Sequence, residues 1–241
     1  DAAADEAALR AAAPDFLFSF YFRSMIPARV LSIPSKGALN MHGSLLPAFR
    51  GRAPVNWAIL KGAPFTGASL HYMTEKPDAG DLVDQEKVPI GPDDDALAVS
   101  RRVSEAAEAV LARSWPKLKA GTAPRIPLAL TKVSYFGGRR PEDGLIDCFR
   151  PAQEVHDLVR AVSRPWPGAF TDAFGPRVSI WKTRLSGYGG HDTFPGKIDM
   201  TERSVLVYCG DDRPVEILAA RPEGQPDMNQ AEFRSWVLAR G

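Results

Sequence analysis

Residues 38–60 read ALNMHGSLLPAFRGRAPVNWAIL, and the rest of the chain is arranged around this stretch. Its first residues are mostly apolar, as is an earlier run at 16–20, FLFSF, and both segments are typical of buried strands. After Met41 the pattern changes to loop formers, and Pro54 stands where the first position of a helix is expected. The sequence therefore predicts a strand, a loop and a helix. Ligands of open α/β sheets bind at such a strand end.

Two polar residues, Asn40 and His42, close this predicted strand. Residues two apart on a strand share a face, so both side chains point the same way. An amide can donate to a developing oxyanion while a neighbouring imidazole moves the proton, which is what acyl transfer requires. The alternative is that Asn40 caps a turn and His42 is a buried histidine with satisfied hydrogen bonds. The pair alone leaves both interpretations open.

Composition narrows the class of protein. The 241 residues carry 30 Lys and Arg against 29 Asp and Glu, a net charge of +1, so no global field attracts nucleic acid. The two cysteines, Cys148 and Cys209, lie far from metal-ligand spacing and are predicted to be free thiols in a reducing cytoplasm. No apolar run is long enough to insert into a membrane. We expect a cytoplasmic protein without a metal site.

A loop rich in Gly, Arg and Pro at 136–144 marks the boundary between two predicted domains, 1–140 and 141–241. The first contains helices and longer strands, predicted at 1–13, 16–21, 28–33, 37–42, from Pro54, at 67–73, 82–90 and 94–119. The second contains a helix at 152–162, a terminal helix at 229–239 and short strands between them, predicted at 168–174, 178–185, 196–200, 204–208 and 214–220. Short strands at this spacing are typical of a small barrel.

The residues around the first strand end also carry a resemblance. Asn40-Met41-His42-Gly43-Ser44-Leu45-Leu46-Pro47, then Arg50-Gly51-Arg52-Ala53-Pro54 and Trp57, resembles the signature of the 10-formyltetrahydrofolate-dependent formyltransferases. That family includes enzymes acting on methionyl-tRNA, on glycinamide ribonucleotide and on sugar nucleotides. Within it, the sequence is most similar to the formyltransferase domain of the bifunctional polymyxin-resistance enzymes.

The resemblance implies an α/β fold, with a Rossmann-like sheet followed by a small OB-like β-barrel domain. Members of the family normally begin with two strand–helix units of about 30 residues each. The sequence given starts at the Ala-rich segment 1–13, so the sheet is expected to lack its first strands. Oligomeric state and a fused decarboxylase domain stay open.

Three residues match the family's catalytic positions: Asn40, His42 and Asp78, the last in the turn Lys76-Pro77-Asp78-Ala79-Gly80-Asp81. The resemblance implies that Asn40 donates to the oxyanion and that His42 moves protons. Asp78 is implied to orient His42, and we expect its charge to hold the pKa of His42 above the roughly 6.5 of a free imidazole. The alternative for Asp78 is an Asx turn before Gly80.

The resemblance implies 10-formyltetrahydrofolate as the co-substrate and no metal. The residues implied to bind it are Ser24, Met25, Ile26, Arg52, Thr74, Glu75, Lys76, Pro77 and Asp78. Core packing is the alternative for Met25 and Ile26, and a solvated loop arginine is the alternative for Arg52. His71 and His156 lie within strand and helix patterns and are expected to be structural.

The acceptor is implied by the loop 136–144, FGGRRPEDG, which resembles the loop of the aminoarabinose enzymes. Arg139 and Arg140 could clamp a nucleotide diphosphate, or belong to a solvated linker. The implied acceptor is UDP-4-amino-4-deoxy-L-arabinose, with a role in lipid A modification and polymyxin resistance. Methionyl-tRNA is the alternative acceptor, although no nucleic acid partner is expected. A non-catalytic folate-binding or interaction module is the alternative from another class.

Overall fold

The structure is a computed structural model, and it describes residues 2–22, 24–130, 134–187 and 193–240. The chain divides into two units. The first unit comprises Asp1–Ala58, Pro64–Ile90 and Val99–Gly138. The second comprises Ile59–Ala63, Gly91–Ala98 and Arg139–Gly241.

The elements up to residue 136 are a mixture of helices and strands, and the hydrophobic pattern predicts all of them except the two-residue strands at 50–51 and 135–136. In chain order they are α1 (Ala2–Ala12), β1 (Phe16–Phe20), α2 (Ala28–Leu31), β2 (Gly37–His42), β3 (Arg50–Gly51), α3 (Pro54–Leu60), β4 (Phe65–Tyr72), β5 (Leu82–Pro89), α4 (Ala96–Ala120) and β6 (Tyr135–Phe136). Asp1, where the sequence predicts the first helix to begin, lies outside the described residues.

Four strands of the first unit form one sheet in the order β1-β2-β4-β5. Strand β2 pairs in parallel with β1 and antiparallel with β4, so it is central and buried on both sides. Its apolar residues Ala38, Leu39 and Met41 are between 0% and 5% exposed. Burial of these three side chains fixes the strand, and with it the end of the strand where the polar residues stand.

The loop after β2 is braced by a distant segment of the same unit. β3 pairs in parallel with β6. The Arg50 amide donates to the Ser134 carbonyl at 3.1 Å, and the Arg52 amide donates to the Phe136 carbonyl at 2.9 Å. These backbone hydrogen bonds give a glycine-containing loop a defined conformation.

Helix α4 shows how local signals set an element's bounds. Asp95 accepts a hydrogen bond from the Ala98 amide at 2.8 Å, the contact of an N-terminal cap. The helix ends before Gly121, whose φ of +70° is the left-handed conformation that glycine adopts readily after a helix. The sequence predicts this helix within two residues of its observed bounds.

The second unit is rich in β-structure. Its elements are a 3-10 turn (Pro141–Gly144), α5 (Ala152–Val162), β7 (Ala169–Thr171), β8 (Val178–Leu185), β9 (Ile198–Met200), β10 (Val205–Tyr208), β11 (Pro214–Pro222), β12 (Met228–Asn229) and α6 (Gln230–Leu238). The strands form an antiparallel sheet in the order β7-β8-β11-β10-β9, with β12 paired to β11. α5 buries Val155, Val159 and Val162, one stripe at helical spacing.

Within the described ranges no helix is long and apolar enough to cross a membrane.

Gly51 offers a test of the brace on the loop. A Cβ added there would collide with the Phe136 carbonyl oxygen, and φ at Gly51 is +98°, a conformation that other residues avoid. We expect Gly51→Ala to lower the free energy of unfolding by about 1–3 kcal/mol, measured by chemical denaturation. Gly137→Ala is the control, because a Cβ there meets nothing within 4 Å. Equal losses in both variants would show that the brace does not need glycine at 51.

Candidate active site at the end of the second strand

The structure places Asn40 and His42 on one face of β2. Asn40 is half-buried, whereas His42 is only 6% exposed. The antiparallel register sets His71 of β4 opposite Asn40 and Ser69 opposite His42. Directly opposite residues of a strand pair share a face. Four polar side chains therefore lie on one face of this strand pair near the end of β2.

Asp78 comes to the same place from the loop after β4. Its Oδ1 lies 3.5 Å from Nδ1 of His42 and 3.6 Å from Nε2 of His71. Its Oδ2 accepts a hydrogen bond from the Gly51 amide at 2.8 Å. Asp78 has a φ of 49°, a region that Asp tolerates better than most residues. The structure thus brings together all three residues that the sequence predicts as catalytic.

The two loops that meet at Asp78 are tied to each other by Arg50. Its guanidinium donates to the Pro77 carbonyl through Nε, at 3.2 Å, and through Nη2. The loop after β2 therefore holds the Asp78 loop at two points, the Pro77 carbonyl and the Asp78 carboxylate.

Burial sets the protonation of His42. Removal from water, helped by the smaller effects of His71 and Arg50, lowers the pKa of His42 by more than the Asp78 charge and the Phe49 carbonyl raise it. The sequence-based expectation that Asp78 holds the pKa of His42 above that of a free imidazole is therefore wrong. The neighbouring carboxylate is visible in a sequence motif, but the depth of burial is not. His42 is neutral at pH 7.

The pKa of Asp78 is lowered, whereas burial alone would raise it. Burial raises the pKa of Asp78, but the His71 and His42 rings and the Gly51 amide together lower it further than burial raises it. The carboxyl group is therefore ionised at neutral pH. One negative charge therefore lies 3.5 Å from Nδ1 of His42 and 3.6 Å from Nε2 of His71.

His71 is the residue at this site that sequence reasoning assigned only a structural role. It is 1% exposed, with Nδ1 2.9 Å from the Tyr72 carbonyl oxygen and Nε2 3.2 Å from Nδ2 of Asn40. The sequence signal that could have identified His71 was its position two residues after Ser69 on a predicted strand, which places both side chains on one face. The strand register that sets it opposite Asn40 cannot be deduced from that pattern.

A polar network under the loop holds the residues that follow His42. Ser69 donates to the Ser44 carbonyl at 2.5 Å and accepts from the Leu46 amide at 3.1 Å. The side-chain amide of Gln85 donates through Nε2 to the Leu46 carbonyl and to Ser69 Oγ, each at 2.8 Å. Ser44, fully buried, donates to the Ala48 carbonyl at 2.6 Å, which is a structural role.

An aromatic stack flanks the same loop. The Phe136 ring lies between Phe49 and Trp57, with ring centroids 5.6 Å and 4.7 Å away and small interplanar angles. Trp57 Nε1 donates to the Gly137 carbonyl at 3.0 Å. Phe49 is also the residue whose carbonyl oxygen lies 2.9 Å from Nε2 of His42. Stacking and hydrogen bonding together fix the position of that carbonyl.

The predicted folate-binding residues of the first unit lie mainly at the surface. Met25 is 58% exposed, which excludes core packing, and Ser24 is exposed as well. Ile26 is half-buried and Arg52 is exposed. The loop residues Thr74, Glu75 and Lys76 are exposed, and Pro77 is half-buried. The binding of folate by these residues stays a prediction.

Arg139 and Arg140 belong to the second unit. The Arg139 guanidinium donates to the Asp143 carbonyl at 2.7 Å, and the Arg140 amide donates to the Asp143 carboxylate at 2.7 Å. Burial lowers the pKa of Arg139. Their role in binding an acceptor stays a prediction. The described ranges contain no group of three or more His, Cys, Asp or Glu residues that could hold a metal ion.

Comparison with solved structures shows the fold. The chain is similar to HypX from Aquifex aeolicus in complex with tetrahydrofolic acid, at 20% identity and a TM-score of 0.70. That match covers 97% of this chain but 41% of the HypX chain, so this chain spans less than half its length.

Sugar-modifying proteins are also similar. An N-formyltransferase from Helicobacter canadensis, solved with folinic acid and dTDP-3-aminofucose, has 18% identity and a TM-score of 0.63 over 83% of this chain and 72% of that one. The sugar 3N-formyl transferase WlaRD, solved with dTDP and 5-N-formyl-THF, has 18% identity and a TM-score of 0.66, over 87% of this chain and 73% of that one.

Comparison with protein families covers both parts of the chain. The family described as formyl transferase matches residues 2–114, and the formyl transferase C-terminal domain matches residues 139–235. The predicted fold class, a formyltransferase sheet followed by a β-rich domain, is confirmed. With a formyl transferase domain followed by the corresponding C-terminal domain, the chain belongs to the formyl transferase family.

Proposed function

We propose that this protein transfers a formyl group from 10-formyltetrahydrofolate to the amine of a sugar nucleotide. The observation that carries the proposal is the meeting of Asn40, His42 and Asp78 at the end of a central strand. Both family matches support formyl transfer. Similar proteins solved with folates and a dTDP-amino sugar support the two substrate classes.

The reaction needs an oxyanion donor and a group that moves one proton. The amine nitrogen attacks the formyl carbon, and the carbonyl electron pair moves to oxygen. The attacking nitrogen then loses a proton as the bond from carbon to the folate nitrogen breaks and that nitrogen gains a proton. Asn40, half-exposed at the strand end, donates an N–H to the oxyanion. Removing one such donor typically costs about 2.7–4 kcal/mol of transition-state stabilisation.

His42 moves the proton. It is neutral at pH 7 because burial lowers its pKa, so it can accept a proton from the amine. At rest Nε2 donates to the Phe49 carbonyl oxygen at 2.9 Å, because that oxygen can only accept, so Nε2 carries the ring proton. Asp78, ionised 3.5 Å from Nδ1, favours the other tautomer, with the proton on Nδ1. In the reaction the amine replaces the Phe49 carbonyl, the ring adopts the tautomer protonated on Nδ1, and Nε2 is then the base.

The folate binds at the carboxyl end of β1 in this proposal. β1 pairs in parallel with β2, with Ser19 opposite Asn40, so the segment that follows β1 emerges beside Asn40. Tyr21, Phe22 and Met25 in that segment are between 58% and 66% exposed. Flat and apolar side chains at this position suit a pterin ring and its aryl group. Ser24, Ile26 and Arg52 with the loop 74–78 complete the proposed folate site.

The finer assignment of the acceptor comes from the loop 136–144. Its resemblance to the aminoarabinose enzymes supports UDP-4-amino-4-deoxy-L-arabinose, and with it lipid A modification and polymyxin resistance. Arg139 and Arg140 are the proposed diphosphate ligands. A net charge of +1 disfavours methionyl-tRNA, which needs an extended basic surface. The two free cysteines are typical of the cytoplasm, where we place the reaction.

Removal of the reacting groups tests the chemistry. We expect Asn40→Ala and His42→Ala each to lower kcat about a hundredfold or more, because each removes a transition-state interaction. The measurement is the release of tetrahydrofolate under saturating substrates, with circular dichroism and denaturation as controls for folding. A folded variant with unchanged kcat would contradict the role of that residue. If the wild-type protein bound folate without turnover, it would instead be a non-catalytic folate-binding module.

The pairing of Asp78 with His42 is tested by titration. In the wild type we expect His42 to titrate below the roughly 6.5 of a free imidazole, since burial outweighs the carboxylate. Asp78→Asn removes the charge that raises the pKa, so His42 should titrate lower still. NMR of the ring protons as a function of pH measures both values. An unchanged or higher pKa in the variant would show that Asp78 does not act on His42.

The acceptor is identified by supplying candidates one at a time. With 10-formyltetrahydrofolate present, we expect turnover with UDP-4-amino-4-deoxy-L-arabinose and none with methionyl-tRNA; dTDP-3-aminofucose serves as a third acceptor. Replacing Arg139 and Arg140 by Ala should raise KM for the sugar nucleotide about tenfold or more and leave KM for folate unchanged.

Arg150→Ala is the control for these two variants, because the described contacts of the Arg150 side chain are with Glu154 alone, four residues further along at the surface. If only dTDP-3-aminofucose were formylated, the proposed acceptor would be wrong, but the acceptor would still be a sugar nucleotide. Efficient formylation of methionyl-tRNA, falling steeply with salt, would overturn the class itself.

A further inference from the structure

We propose that His71 is a positioning residue that holds the Asn40 amide with its NH2 group toward the reacting formyl oxygen. This inference rests on the proposed formyl transfer, in which Asn40 is the oxyanion donor. An asparagine side chain can occupy the same space with its oxygen and nitrogen exchanged, and only one of the two orientations presents a donor. Some neighbouring group has to select that orientation.

The contacts of His71 supply the selection. Nδ1 lies 2.9 Å from the Tyr72 carbonyl oxygen, which can only accept, so Nδ1 carries the ring proton. In the neutral ring, Nε2 is then an acceptor. The atom 3.2 Å from Nε2 is Nδ2 of Asn40, a donor. The proton fixed on one side of the ring therefore fixes which end of the Asn40 amide faces the other side.

An amide nitrogen carries two hydrogens, and His71 uses one. The second N–H of Asn40 stays available, and the half-buried position of Asn40, two residues before the end of β2, leaves it open to substrate. If the amide turned over, Oδ1 would face Nε2 and two acceptors would be opposed without a proton between them. An unmatched buried pair of this kind costs about 1–3 kcal/mol, which is enough to keep one orientation dominant.

Asn40 is the nearer partner of this nitrogen. Nδ2 of Asn40 lies 3.2 Å from Nε2 of His71, within the range of a hydrogen bond, whereas Oδ1 of Asp78 lies 3.6 Å away. His71 is also 1% exposed, so water cannot replace Asn40 as its partner. The strand register explains why the contact persists, because Asn40 and His71 are directly opposite on paired strands.

The ring protons give a test that needs no turnover. Nitrogen NMR of the wild-type protein should show His71 protonated on Nδ1 and bare on Nε2, with the Nε2 signal altered in Asn40→Ala. A proton on Nε2 with Nδ1 bare would overturn the inference. Because this readout does not involve formyl transfer, it separates failure of the inference from failure of the proposed function.

Two variants test the positioning role in turnover. His71→Leu introduces an apolar side chain of similar size and removes the acceptor nitrogen. We expect kcat to fall at least about tenfold, with KM for folate unchanged, because a misplaced Asn40 donor no longer meets the transition state. His71→Gln retains an acceptor oxygen and should recover most of the lost kcat. Equal kcat values in these two variants would contradict a role for the acceptor.

A double-mutant cycle decides whether His71 acts through Asn40. In the Asn40→Ala background, His71→Leu should cause no further loss of kcat, because the group that it positions is already absent. A loss equal to that in the wild-type background would mean that His71 contributes by packing alone, and would overturn the inference. The inference would also be overturned if the effects of His71→Leu and Asp78→Asn on kcat were non-additive while those of His71→Leu and Asn40→Ala were additive.

His156 provides the matched control. It is also a buried histidine, 3% exposed, with its ring nitrogens against Thr183 and the Pro92 carbonyl in the second unit. His156→Leu should lower stability, as loss of a buried hydrogen-bonding group does, but leave kcat of the folded protein unchanged. If His156→Leu lowered kcat as much as His71→Leu, the effect would be one of general destabilisation and the inference would fail.

Discussion

The hydrogen bond from the Gly51 amide to Asp78, 2.8 Å long, is the constraint on which the site depends. It joins two loops that leave the sheet at different strands, and one carboxylate then faces both imidazoles. The bond is possible because Gly51 adopts a φ of +98° and Asp78 a φ of 49°. Two backbone positions in the left-handed region are thus held by contacts from neighbouring segments, an arrangement found often at functional sites.

The sequence predicts a common face for Asn40 and His42 because the two residues lie close together in the chain. Asn40 and His42 alternate on one strand, and that alternation alone places them on a common face. The Asp78 turn was identified only by its resemblance to a family motif. Nothing in the spacing of residues 42 and 78 places the two side chains 3.5 Å apart. The strand pairing and the loop contacts do so.

His71 shows what such reasoning cannot reach. Its position on a strand was predicted, but its partner depends on the register between β2 and β4, and shifting that register by one residue would turn the side chain to the other face. The prediction of a raised pKa for His42 was wrong for a related reason. A charged neighbour can be named from a motif, whereas the loss of water around a ring emerges only when the whole sheet and its loops are packed.

The aromatic stack has a consequence for the order in which the molecule folds. Phe49 and Trp57 are close in sequence, but Phe136 joins them from about 80 residues further along, and β6 pairs with β3 across a similar distance. Closing so long a loop costs entropy before its contacts repay it, so contacts of this kind form late. The strands carrying Asn40, His42 and His71 pair over much shorter spans of chain. In a growing polypeptide, the strand pairing that brings Asn40, His42 and His71 together would therefore form well before the loop around them takes its final shape.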